Sequence, residues 1–137
     1  MNNQDRTSIA EDLQENPVIV ILEDDLVFLY CLVSIVKRHF CCEIHEFSYA
    51  RDARNFILEN GNKIRLVITD LEMTGMNGFD LIRAIRGQKG LDSIKILVIS
   101  SYRRSGVIRM ELEKIDGYLE KPIDPAILKE AVEEMLM

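Results

Sequence analysis

Three carboxylates, a hydroxyl and an ammonium stand where apolar runs of the chain stop. Glu23 and Asp24 follow Val18-Ile19-Val20-Ile21-Leu22, Asp70 follows Leu66-Val67-Ile68-Thr69, Ser100 closes the run 94–99, and Lys121 follows Gly117-Tyr118-Leu119-Glu120. Carboxylates gathered in one place repel and raise one another's pKa unless a cation joins them. A hard divalent ion with oxygen ligands is the natural partner, and Mg²⁺ is the common one. Asp70 precedes a loop containing Gly75 and Gly78, so it is expected to be exposed and rigidly held. A carboxylate so placed can attack phosphorus and form an aspartyl-phosphate. Phosphoryl transfer needs positioning and neutralisation of the oxygens more than covalent help. A metal held by Asp24, the Lys121 ammonium and the Ser100 hydroxyl would supply both.

For these groups to meet, the runs before them must be parallel strands, because ligands of an open parallel sheet bind beyond the carboxyl ends of its strands. The pattern supplies such strands. The run 18–22 is apolar throughout and largely β-branched, as in a strand buried on both faces. Residues 26–40 fit a helix with Asp25 as N-cap rather than ligand. Residues 41–47 mix Glu43, His45 and Glu46 into a strand suited to a sheet edge. Residues 49–59 are helical, and Asn60-Gly61-Asn62 stops them. The unit then repeats, with a strand through 66–68, a helix over 79–86, a strand over 94–99, a helix over 105–114, a short strand over 116–119 and a last helix over 126–137 with Pro125 at its start. Five strands alternating with five helices imply an α/β fold, a parallel sheet with helices on both faces.

Composition narrows the setting. The 137 residues allow one domain. Residues 1–16 are polar and aperiodic and read as a flexible N-terminal tail, with the domain over 17–137. The 17 basic and 23 acidic residues give a net charge of −6, which disfavours a general electrostatic grip on nucleic acid. No apolar run approaches a membrane span, and the first fifteen residues lack the features of a signal peptide. Cys31, Cys41 and Cys42 are too few and too oddly spaced for a disulfide framework, so a reducing cytoplasm is the simplest compartment.

At the residues VIVILEDD (18–25), LVITDLEMTGMNG (66–78), ILVISS (96–101) and DGYLEKP (116–122) the chain resembles the receiver domain of two-component response regulators, of the chemotaxis-regulator kind. The resemblance covers about 17–137. Each motif is weak alone, whereas the order and spacing of positions 24, 70, 100 and 121 together are specific. It implies a flavodoxin-like, doubly wound, five-stranded parallel sheet of order 2-1-3-4-5, in agreement with the edge reading of 41–47. It also implies that Asp70 accepts a phosphoryl group from a histidine kinase or histidine phosphotransfer protein. Asp24 would bind Mg²⁺ directly, Glu23 mainly through a metal-bound water, and Asp70 and the Glu72 backbone carbonyl would complete the set. Ser100 would hydrogen-bond a phosphoryl oxygen, and Lys121 would pair with the acceptor carboxylate and then with the phosphate. Tyr118 matches an aromatic switch that turns inward once Ser100 moves. That would alter the face of the fourth helix, fifth strand and fifth helix, which binds a downstream protein or a second copy. A cis Lys121-Pro122 bond is expected.

Four departures stand out. Thr74 replaces the usual proline, Ser101 and Tyr102 replace smaller and acidic residues, and the segment 103–115 lacks an alanine-rich pattern. Glu72 sets a further carboxylate where it can obstruct or orient hydrolytic water. Bland readings compete singly: Ser100 as a helix cap, Lys121 as a surface lysine, Tyr118 as a half-buried strand aromatic. His39, Cys41, Cys42 and His45 match no standard zinc spacing. Two other functions fit in part. Asp70-Leu71-Glu72-Met73-Thr74 imitates the D-x-D-x-T motif of haloacid dehalogenase-like phosphatases, although on the third strand. A non-phosphorylated pseudo-receiver that serves only as an interaction module is the other. A flavodoxin is disfavoured, because Glu23-Asp24-Asp25 would repel a phosphate after strand one.

Overall fold

Alternation along each strand decides how the molecule layers. In β1 (Val18–Leu22) and β3 (Ile64–Thr69), Val20, Leu22 and Val67 face one side while Ile19, Ile21, Leu66 and Ile68 face the other, all fully buried. β4 (Lys95–Ser100) divides likewise, Ile96 and Val98 against Leu97 and Ile99. The sheet must therefore be covered twice. The computed structural model describes residues 16–73, 75–101 and 113–137. It places β2 (Glu43–Phe47) and β5 (Gly117–Glu120) at the two edges of a sheet of order β2-β1-β3-β4-β5, with every pairing parallel.

Helices α1 (Leu26–His39) and α4 (Pro125–Leu136) cover the face of Ile19 and Ile68 with Leu32, Val36, Leu128 and Val132. Helices α2 (Ala50–Asn60) and α3 (Gly78–Gly87) cover the other with Ala53, Ile57, Leu81 and Ile85. Three of the four starts, all but that of α2, are capped by short polar side chains. Asp25 accepts from the backbone N–H groups of Val27 and Phe28, Asn77 and Asp80 form a capping box, and Asp124 caps α4 ahead of Pro125. The stop read at Asn60-Gly61-Asn62 is a short 3₁₀ turn over Gly61–Lys63.

Four α-helices lie among the described residues where the pattern predicts five. Of the helix expected over 105–114, residues 105–112 fall outside the described residues, and Glu113 and Lys114 form a turn whose Lys114 carbonyl accepts from Arg86 Nε at 2.8 Å. The tail expected over 1–16, Thr74 and Tyr102 fall outside as well, except Asn16. The Lys121-Pro122 bond is cis. Among the described residues no helix is long and apolar enough to cross a membrane.

Candidate functional site

Parallel register brings the carboxyl ends of the strands level. Leu22 pairs with Phe47 and with Thr69, and Ser100 pairs with Glu120. The ladder then runs one residue past the strands: Glu23 N donates to Phe47 O at 3.0 Å, Asp70 N to Leu22 O at 3.3 Å and Lys121 N to Ser100 O at 2.8 Å. Glu23, Asp70 and Lys121 are thus fixed by backbone before their side chains make any contact.

Those side chains then meet. The Lys121 ammonium donates to Asp70 Oδ2 at 2.7 Å and to Glu23 Oε1 at 2.9 Å. Asp70 Oδ1 accepts from the N–H groups of Leu71 at 2.6 Å and Glu72 at 3.0 Å, and Glu23 Oε2 accepts from Asp25 N at 3.0 Å. The expectation of a rigid Asp70 holds, but not that of an exposed one. It is 5% exposed, because Lys121 and the backbone of its own loop cover it. Glu23, 1% exposed, is buried more deeply still. That burial pushes its carboxyl up to about 7 from an ordinary 4.5, with Asp70 adding to the rise and Lys121 opposing it. For Lys121, burial pulls the ammonium down, but its hydrogen bonds to Asp70 and Glu23 outweigh this and hold it above 10.5. The Phe28 ring lies over the same ammonium, 4.5 Å from ring centre to Nζ.

The remaining predicted residues surround this triad. Ser100 is fully buried and shares a side-chain hydrogen bond with Tyr118. Burial pushes the Tyr118 phenol up, Ser100 lowers it, and the charges of Glu120, Asp70 and Glu72 raise it further. Asp24 and Glu72 are exposed at the rim; Asp24 borders a cleft with Leu26, Ser48 and Tyr49, and the Glu72 N–H is tied to the acceptor. His45 pairs with Glu43 at 2.6 Å and stacks on Phe56. Two features had no mark in the sequence: the bridge from Lys121 to Glu23 and the ring of Phe28. Both join segments about a hundred residues apart, beyond any local period.

Among the described residues no group of three His, Cys, Asp or Glu side chains is drawn up at metal-binding separation. The two converging carboxylates are joined by the Lys121 ammonium instead. The donors at this edge are nonetheless all oxygen: Glu23, Asp24, Asp70 and the Glu72 carbonyl. Two are buried and gathered around one cation and two belong to residues at the rim, a set whose chemistry fits Mg²⁺ and not a thiophilic metal.

Residues 19–133 match the family described as response regulator receiver domain. The chain is 32% identical over 80 residues to the chemotaxis protein CheY of Pseudomonas aeruginosa, a match covering 58% of this chain and 64% of that protein, less than two thirds of its length. It is 23% identical over 119 residues to a CheY homolog of Campylobacter jejuni, covering 86% of this chain and 91% of that one. Among solved structures, the signal receiver domain of a putative LuxO repressor protein from Vibrio parahaemolyticus superposes with a TM-score of 0.79 at 24% identity, over 89% of this chain and 91% of that one, and shares its fold. With the family matched across both faces of the sheet and the whole acidic edge, the chain belongs to the response regulator receiver domains, the phosphoacceptor units of two-component signalling.

Proposed function

We propose that Asp70 is the phosphoacceptor and that residues 17–137 form the receiver unit, with 1–16 outside it. The carrying observation is the pair of constraints on Asp70, two backbone N–H groups on Oδ1 and the Lys121 ammonium on Oδ2. A carboxylate oxygen attacks the phosphorus of a phosphohistidine. The P–N bond breaks, and its electron pair leaves with the imidazole, which takes up a proton. Lys121 follows the charge from the carboxylate to the phosphoryl oxygens, and Ser100 turns its hydroxyl from Tyr118 to one of them. Glu23, Asp24, Asp70 and the Glu72 carbonyl would hold Mg²⁺, which when bound supplies two positive charges against the phosphoryl oxygens.

The donor is a histidine kinase or a histidine phosphotransfer protein. The chain assists its own phosphorylation and dephosphorylation but is not a dedicated enzyme, and it works in the cytoplasm. Release of Tyr118 from Ser100 changes the face that β5 and α4 contribute to, which meets a downstream protein or a second copy. The phosphatase alternative would need its acid motif on the first strand, whereas Asp70 follows β3. Incubation with acetyl phosphate and Mg²⁺, followed by intact-protein mass measurement, is expected to add one phosphoryl mass to the wild type and none to Asp70→Asn. Equal labelling of both overturns Asp70 as the acceptor.

A further inference from the structure

Lys121 has to stay near the acceptor while its partners change. Its ammonium rests on two carboxylates, Glu23 at 2.9 Å and Asp70 at 2.7 Å. Both are also proposed metal donors, so neither can serve the lysine undivided. The third neighbour is different in kind. The Phe28 ring centre lies 4.5 Å from Nζ, within the range of a cation–π contact. A ring face attracts an ammonium without neutralising it, so the full charge remains available to phosphoryl oxygens.

The ring is itself held in place. Phe28 sits in the first turn of α1, and the Asp25 side chain takes its backbone N–H at 3.2 Å and that of Val27 at 3.0 Å. The cap that starts the helix therefore also sets the height of the ring beside the acidic edge. The ring packs against the α1–α4 core and also lines an open apolar cavity of about 670 Å³ with Cys31, Ile35 and Pro122. A ring that borders such a cavity is not fixed by close packing alone.

We propose that Phe28 is a positioning residue for phosphoryl transfer, its ring face holding the Lys121 ammonium at the acceptor when the carboxylates engage other charges. The proposal rests on the reading of Asp70 as acceptor, and the test separates the two. In metal-free protein, side-chain NMR of Lys121 should show ε-methylene resonances shifted upfield by the ring in the wild type and in Phe28→Tyr, and at their ordinary position in Phe28→Leu. With acetyl phosphate and Mg²⁺, the maximal labelling rate should fall about three- to thirty-fold in Phe28→Leu and return in Phe28→Tyr. The donor concentration for half-maximal rate should change little. A folded Phe28→Leu that labels at the wild-type rate overturns the role of Phe28 and leaves Asp70 standing. A wild type that does not label overturns both, and an unshifted Lys121 resonance in the wild type removes the ring contact.

Discussion

Glu23 and Lys121 set the balance of charge around Asp70. A carboxyl whose pKa rises on folding, as that of Glu23 does from 4.5 to about 7, binds a proton more tightly in the native state. Its contribution to stability is complete below the unfolded value and is lost as the pH rises through the folded one, at no more than about 1.4 kcal/mol per pH unit. In chelator, the urea-unfolding free energy of the wild type should therefore fall relative to that of Glu23→Gln between about pH 5 and about pH 8. A difference that stays flat over that window excludes Glu23 as the titrating group. At this scale the sequence was informative about identity and silent about pairing. Residue type and strand-end position marked Glu23, Asp70, Ser100 and Lys121, but nothing local shows that Lys121 divides itself between two carboxylates or that Tyr118 already bonds Ser100.

The elements hold these side chains through backbone as much as through packing. Gly78, the first residue of α3, lies directly against the loop that carries Asp70. A β-carbon there would meet the Asp70 carbonyl and stand 2.8 Å from Leu71 Cα, and both of those neighbours are backbone that cannot rotate away. Gly78→Ala should cost roughly 2 kcal/mol or more in urea unfolding and should slow labelling by acetyl phosphate, because the N–H groups that fix Asp70 Oδ1 belong to the displaced loop. A variant as stable and as quickly labelled as the wild type would show that the loop yields freely. The boundaries of the elements were legible to within a few residues. β1 and the start of α1 fall where the apolar run and Asp25 put them. β3 begins two residues before the purely apolar stretch, since Arg65 reaches out of the sheet to the Leu136 carbonyl at 2.7 Å and so is accommodated within a buried strand. The capping box of Asn77 and Asp80 lies in a glycine-rich stretch whose punctuation hid it.

The two cores of the whole molecule share one sheet. Ile57 is fully buried on the α2–α3 side and Leu128 on the α1–α4 side, and every central strand contributes to both clusters. Ile57→Ala and Leu128→Ala should each destabilise by about 2–5 kcal/mol, with a single transition seen alike by fluorescence and circular dichroism. Two separated transitions would mean that the layers melt independently. The doubly covered sheet was foreseeable because periodicity reports burial on both faces, whereas the strand order followed from the family resemblance, with only the edge place of 41–47 legible in its charged residues.

The Lys121 bridge has a consequence for how the molecule meets its metal. The chain carries an internal counterion beside the carboxylates that would hold magnesium, so their charge is balanced before any ion enters. A receiver built in this way keeps its architecture when the ion is withdrawn. Chelation should leave the far-ultraviolet circular dichroism spectrum unchanged while abolishing phosphoryl uptake.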